Sequence, residues 1–253
     1  MLAARGHHLL LHGRNPEKLA RTVEILATIP GAGKMETFTA DLSRLADVKA
    51  FAQAVADKHS SLDVLINNAG VLKSPENTTA DGFDIRFVVN TFAPYLLAKR
   101  LLPLFSSSGR IINLSSAAQS PVNLDALTAD GGQLGDGAAY AQSKLAITMW
   151  SFQLARQLGT AGPAVIAVNP GSLLASKMVK EAYGVAGADL SIGARILTRL
   201  ALDEKYANAS GQYFDNDSGN FAAPHRDALD RHKTDELVRI LDNLLADYLQ
   251  DGV

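Results

Sequence analysis

A tyrosine and a lysine four residues apart, in the run Tyr140-Ala141-Gln142-Ser143-Lys144, are the residues of this chain best suited to moving a proton. Ala138 and Ala139 precede them, and Leu145, Ala146, Ile147, Met149 and Trp150 carry an apolar face onward, a pattern that predicts a helix. Residues four apart share one helix face, so the Tyr140 phenol and the Lys144 ammonium can reach one pocket. A free phenol has a pKa of about 10 and is a poor base at neutral pH, but a neighbouring cation favours the phenolate. Such a tyrosine can exchange a proton with a carbonyl or an alcohol. Alone the pair is a weak signal, because a chain with six tyrosines meets this spacing by chance.

The elements that must position the pair follow from hydrophobic periodicity. Short apolar runs alternate with amphipathic stretches, the signature of βαβ units and a parallel sheet covered on both faces. Strands are predicted over residues 7–12, 35–40, 62–67, 110–115, 164–169 and 212–214. Asn15-Pro16-Glu17 opens a helix, with Asn as cap, Pro at the first helical position and Glu at the positive end of the dipole. Its stripe of Leu19, Val23, Leu26 and Ala27 faces the sheet. Further helices are predicted over residues 45–58, about 78–105, 190–202 and 234–249, the last packing on its own domain. Residues 117–139, with Gly131-Gly132, Gly135 and Gly137, read as a long loop that either borders the site or is a tolerated surface insertion.

Composition narrows the function. The 253 residues suffice for one α/β domain over 1–253, and 24 basic against 26 acidic residues leave a net charge of -2, which calls for neither nucleic acid nor an anionic membrane. The absence of cysteine excludes disulfides, thiolate metal sites and a cysteine nucleophile. With no apolar run near the ~18 residues of a membrane span, a cytoplasmic location is expected. His7 and His8 face opposite sides of a strand, and neither they nor His12 have a grouped carboxylate, so no metal is expected. Ser116 has no Gly-x-Ser-x-Gly elbow around it, which argues against a hydrolase.

Around the pair stand Asn67-Asn68-Ala69-Gly70, Asn90, Ser115-Ser116 after Arg110-Ile111-Ile112-Asn113-Leu114, and Asn169-Pro170-Gly171. In this order and at these intervals the chain resembles the short-chain dehydrogenase/reductase family from about residue 6 to residue 219. The resemblance implies a Rossmann-like, doubly wound parallel sheet in three layers, α/β/α, and hydride transfer between a nicotinamide cofactor and a small-molecule carbonyl or alcohol. It implies catalytic roles for Tyr140 as acid/base, for Ser116 as hydrogen-bond donor to the substrate oxygen, for Lys144, and for Asn90 in a water-mediated proton relay. Asn68, Ala69 and Gly70 would line the cofactor pocket, Asp41 and Leu42 would meet the adenine, and Tyr140, Lys144, Pro170 and Gly171 the nicotinamide ribose and ring. Where the family places a threonine, Ala175 stands here, so Ser176 is the expected partner of the carboxamide.

Two further features refine the expectation. No acidic residue ends the second strand of the dinucleotide unit, and Arg14 follows it in His12-Gly13-Arg14-Asn15, resembling NADP-preferring relatives; NADP is therefore expected over NAD. The family's Thr-Gly-x-x-x-Gly-x-Gly turn is missing, and residues 1–6 read as the tail of the helix after it. A central strand would then be lacking between those at 7–12 and 62–67, leaving ladder edges open. The competing expectation is a degenerate relative that serves as a non-enzymatic binding module. Substrate identity and a homo-oligomeric state are left open.

Overall fold

The computed structural model describes residues 1–129, 131–132 and 134–250. Strand β1 (Leu9–Gly13) leads through α1 (Pro16–Ala27) to β2 (Met35–Thr39), and α2 (Leu45–Lys58) leads to β3 (Leu62–Asn67). Asn15 caps α1 by accepting from the Lys18 amide, with Pro16 at the first helical position. Leu19 is buried and Val23 and Leu26 are half-buried, but Ala27 is exposed, because the apolar stripe has rotated off the sheet by the last turn.

The sheet is in two parts. β1 and β2 pair in parallel, and a second sheet runs β3-β4-β5-β6-β7, with β4 (Phe105–Leu114), β5 (Ala164–Asn169), β6 (Gln212–Asp215) and β7 (Asn220–Ala222). The interruption falls between β1 and β3. All pairs are parallel except β6 with β7, which is antiparallel and adds an edge hairpin that the short run 220–222 did not announce.

Several boundaries differ from expectation. The helix expected from residue 78 begins at α3 (Ile85–Phe87), because Thr78 bridges Asp84 and the intervening chain turns tightly. The Gly82 amide donates to Thr79 O at a positive φ of 86°, and Asp84 accepts from the Arg86 amide. A π-helical turn, Val88–Phe92, joins α3 to α4 (Ala93–Leu101). Strand β4 starts at Phe105 rather than residue 110, since a register shift against Leu62 and Val64 absorbs Ser106-Ser107-Ser108-Gly109. A side chain at Gly109 would meet Phe105 Cδ1 at 2.6 Å, so any larger residue there would have to displace the Phe105 ring. The expected loop before Tyr140 holds a short 3-10 turn, Asp125–Leu127, and its end is already helix, because α5 spans Asp136–Leu158.

Helices α6 (Lys177–Tyr183) and α7 (Leu190–Leu202) follow β5, and the C-terminal helix is broken into α8 (Arg231–Leu244) and α9 (Ala246–Leu249). Asp230 caps α8 through the Lys233 amide, so the helix starts three residues earlier than its leucine spacing indicates. Leu237, Leu241 and Leu245 are each 0% exposed, in one apolar cluster with Tyr95 of α4 and Trp150 of α5. The Tyr95 hydroxyl donates to Asp242 at 2.6 Å, and Lys49 and Arg100 donate to backbone carbonyls of residues 247–250, holding α9 in place.

Deleting three carbons from this cluster gives a direct test of that packing. Leu241→Ala should cost about 2–5 kcal/mol, the range for burying a cavity where a core leucine stood. Urea titration should show a lower midpoint with an unchanged slope; an unchanged midpoint would place the C-terminal helix outside the cooperative core.

Candidate active site

Helix α5 owes its position to buried polar bonds that only a few geometries satisfy. Asn67 at the end of β3 donates to Asn113 of β4 at 2.8 Å, and Asn113 donates to the Ser151 hydroxyl of α5 at 2.8 Å. One residue after Leu114, the fully enclosed Ser115 hydroxyl bonds to Lys144 O and Thr148 Oγ1, both at 2.8 Å. These bonds fix the helix across the carboxyl ends of β3 and β4, where open α/β sheets bind ligands.

A cavity of about 1210 Å³ opens there. It brings together Arg14, Asp41, Leu42, Asn68, Ala69, Gly70, Ser116, Tyr140, Lys144, Pro170, Gly171 and Ser176, which the sequence had placed in separate motifs. Asn90 does not line it. From the π-helical turn its side chain accepts from the Val71 amide at 2.8 Å and donates to Val71 O and the Ser143 hydroxyl, both at 2.9 Å, so both amide hydrogens are engaged.

Lys144 Nζ lies 5.6 Å from the Tyr140 ring centroid and donates to Leu114 O at 2.7 Å, its one hydrogen-bond acceptor among the described residues. Burial pushes the Lys144 ammonium down to about 8. Ser116 lies half-buried at the cavity wall; its Oγ accepts from the Ala118 amide at 3.1 Å, and its carbonyl accepts from the Tyr213 hydroxyl at 3.0 Å and from Gln119 at 2.9 Å. The neighbouring serines thus divide: Ser115 is spent on α5, and Ser116 is oriented by β6.

The remaining residues form two ends. At one, His12 Nε2 donates to Ala40 O at 3.0 Å, and burial holds its imidazole below the ordinary value against the pull of that carbonyl and of Asp41. Partial burial raises the Asp41 carboxyl, but two hydrogen bonds from Ser43 and the charges of Arg14 and Arg44 outweigh it and leave the group below the usual range. Asp41 thus holds a tight turn onto Ser43 and does not cap α2, whose N-cap position is Arg44 with no side-chain cap bond. At the other end, Pro170 and Gly171 form a turn whose next residue, Ser172, donates through its amide to Asp217 at 2.8 Å. Ser176 caps α6 by accepting from the Val179 amide at 3.2 Å, while still facing the cavity.

Sequence reasoning missed the apolar wall made by Ile85, Val89, Met178, Val179, Leu190 and Leu197. It comes from three separate segments, residues 85–89, 178–179 and 190–197, and only their folding reveals that they converge. Asp217 was also missed; no motif announced the hold of the β6–β7 turn on Ser172. Among the described residues no cluster of three or more histidine, aspartate or glutamate side chains is arranged for a metal ion, and no helix is long and apolar enough to cross a membrane.

Comparison with known proteins agrees with this fold. Residues 1–184 match the family described as short chain dehydrogenase, and the chain belongs to that family of NAD(P)-dependent oxidoreductases. It is 32% identical over 243 residues to retinol dehydrogenase 13 of Homo sapiens, covering 88% of this chain and 73% of that protein. Among solved structures, an uncharacterised protein from Mycobacterium paratuberculosis superposes with a TM-score of 0.76 at 26% identity, over 97% of this chain and 86% of that one. A metagenomic short-chain oxidoreductase in complex with NADP is 28% identical, with a TM-score of 0.56 and coverage of 79% and 81%.

The buried lysine can be tested by itself. Nitrogen-detected NMR of the lysine side chains should show one ammonium that is charged below and neutral above a pH of about 8, and that signal should vanish in Lys144→Met. If every lysine titrated near the ordinary value of about 10.4, Lys144 would be better solvated than its surroundings indicate.

Proposed function

We propose that this protein interconverts an apolar alcohol and its carbonyl compound with NADP(H), Tyr140 holding the transferred proton. The observation that carries the reading is that Tyr140, Lys144 and Ser116 face one cavity, which continues to Arg14 and Asp41. The residues present fit a dinucleotide at both ends. A side chain at Gly70 would lie 3.4 Å from Asn90 Oδ1 and 3.5 Å from Lys144 Nζ, so the bare glycine leaves room for a ligand against the lysine.

In this reading Lys144, with two of its three ammonium hydrogens uncommitted to Leu114, would hold the nicotinamide ribose. Pro170 and Gly171 would flank the ring, and Ser176, whose oxygen already accepts from Val179, keeps its hydrogen for the carboxamide. Asn68, Ala69 and Gly70 would form the cavity wall along the cofactor, Leu42 and Asp41 would meet the adenine, and Arg14 the 2′-phosphate. Bound there, NADP(H) supplies or accepts the hydride.

The chain's own residues manage the proton. The Ser116 hydroxyl donates to the substrate oxygen and holds it beside the phenol. In reduction the Tyr140 hydroxyl gives its proton to that oxygen; in oxidation the phenolate takes it. A Lys144 ammonium close to the ring favours the phenolate, and its enclosure reduces screening by water. Asn90 acts at one remove, fixing Val71 against Ser143. The apolar wall from Ile85 to Leu197 favours a lipophilic substrate, a class that includes the retinol for which the human relative is named.

Two substitutions test the reading. Tyr140→Phe keeps the ring but removes the proton, and turnover should fall by about 10²–10⁴, the usual contribution of general acid/base catalysis, with little change in stability. Undiminished turnover would remove Tyr140 from the mechanism. Arg14→Ala removes a charge-assisted bond of about 1.5–3 kcal/mol, so NADPH affinity measured by calorimetry should fall roughly ten- to a hundredfold with NADH nearly unaffected. An equal loss for both cofactors would assign Arg14 to general structure.

A further inference from the structure

We propose that Arg86 is a positioning residue for the active site, setting through Asp136 the height of the Tyr140 helix against the segment that carries Asn90. The proposal rests on the acid/base reading of Tyr140. Arg86 is 0% exposed, yet its guanidinium meets three separate segments. Nε and Nη2 donate to the Asp84 carboxylate at 2.8 and 2.6 Å, and Nη1 donates to Asn77 Oδ1 at 2.9 Å and to Asp136 Oδ1 at 2.6 Å.

Stability alone does not explain such a group. A buried ion pair roughly breaks even against apolar side chains of the same volume, because removing both charges from water offsets their attraction. What a guanidinium adds is geometry, since its rigid planar fork fixes the direction of each bond. Asp136 is the first residue of α5, and the preceding Gly135 gives that helix no side-chain cap. The first turn is therefore held by the Arg86–Asp136 bond instead of by a capping side chain.

One helical turn beyond Arg86 and two turns beyond Asp136 comes a second rung. Asn90 donates to the Ser143 hydroxyl at 2.9 Å, Thr91 donates to Ser143 O at 3.0 Å, and the Ser143 hydroxyl donates to Tyr140 O at 2.7 Å. Tyr140 sits between the rungs, four residues after Asp136 and three before Ser143. With both rungs in place the helix can neither slide nor tilt about its upper tie, and the phenol stays level with Lys144 and Ser116. Losing the lower rung frees the end of α5 nearest the phenol.

The test uses Asp136→Ala, which removes the acceptor at a side chain 38% exposed, with Arg86→Lys and the rescue variant Asp136→Glu. Circular dichroism checks folding. The tyrosinate ultraviolet step that disappears in Tyr140→Phe reports the phenol without turnover, and decanal reduction by NADPH reports kcat and KM. Asp136→Ala and Arg86→Lys should move that step to higher pH and lower kcat roughly ten- to a hundredfold, the cost of slight misplacement, with KM for NADPH nearly unchanged. Asp136→Glu, which keeps an acceptor, should restore both. A folded Asp136→Ala with the wild-type step and wild-type kcat overturns the proposal, provided Tyr140→Phe is inactive. An active Tyr140→Phe overturns the acid/base reading and this proposal with it.

Discussion

The amide of Asn90 is the bond on which the site's geometry turns. It lies 1% exposed in a π-helical turn, where the extra residue per turn rotates its side chain away from the regular helical face. One side chain there satisfies both polar groups of Val71, just past the end of β3, and reaches α5 through Ser143. Backbone groups leaving a strand would otherwise be buried without partners, at about 1–3 kcal/mol each. The same three contacts set the distance between the Asn68-Ala69-Gly70 wall and the helix that presents Tyr140 and Lys144.

Around this tie the interior uses polar bonds to locate elements and apolar packing to stabilise them. Asn67, Asn113 and Ser151 form a buried chain from β3 through β4 to α5, and Ser115 and Thr148 repeat the pattern one strand end away. The opposite face of α5, through Trp150 and its edge contact with Tyr95 at 5.4 Å, is sealed by the leucines of α8. Lys144 is the exception, a cation enclosed with a single carbonyl partner among the described residues. Its depressed affinity for protons is the physical cost of placing a charge where water does not screen it.

Much of this was legible in the sequence because it depends on local rules. The periodicity of residues 45–58 and 164–169 gave α2 and β5 to the residue, and Asn15-Pro16 gave the start of α1. Asp41, Asn68 to Gly70, Ser116, Pro170 and Gly171 converge on one cavity because each stands just past a strand's carboxyl end, and Tyr140 and Lys144 reach it from α5. What failed depended on distant partners. The helix start at Ile85 is set by the bridge between Thr78 and Asp84, and the early start of β4 by its irregular pairing with β3. The choice of Ser116 over Ser115 rested on resemblance alone, and the structure adds that Thr148 engages the one and Tyr213 the other. The apolar wall carried no signal, since an ordinary isoleucine, leucines, valines and a methionine become a wall only when three segments meet.

The two-part sheet has a consequence for folding as well as for binding. No strand pairing joins β1 and β2 to the other five strands, yet one cavity has walls on both: His12, Gly13 and Arg14 from the first, Asn68 and Leu114 from the second. A molecule filling that cavity end to end acts as a rivet between two sheets that share no ladder. At a hundred times its dissociation constant such a ligand adds about 2.7 kcal/mol to the stability of the state that binds it. That increment falls on the seam itself. The ligand then becomes a structural member, and amide exchange in β1 and β2 slows toward the rate of β4 and β5 as the seam closes.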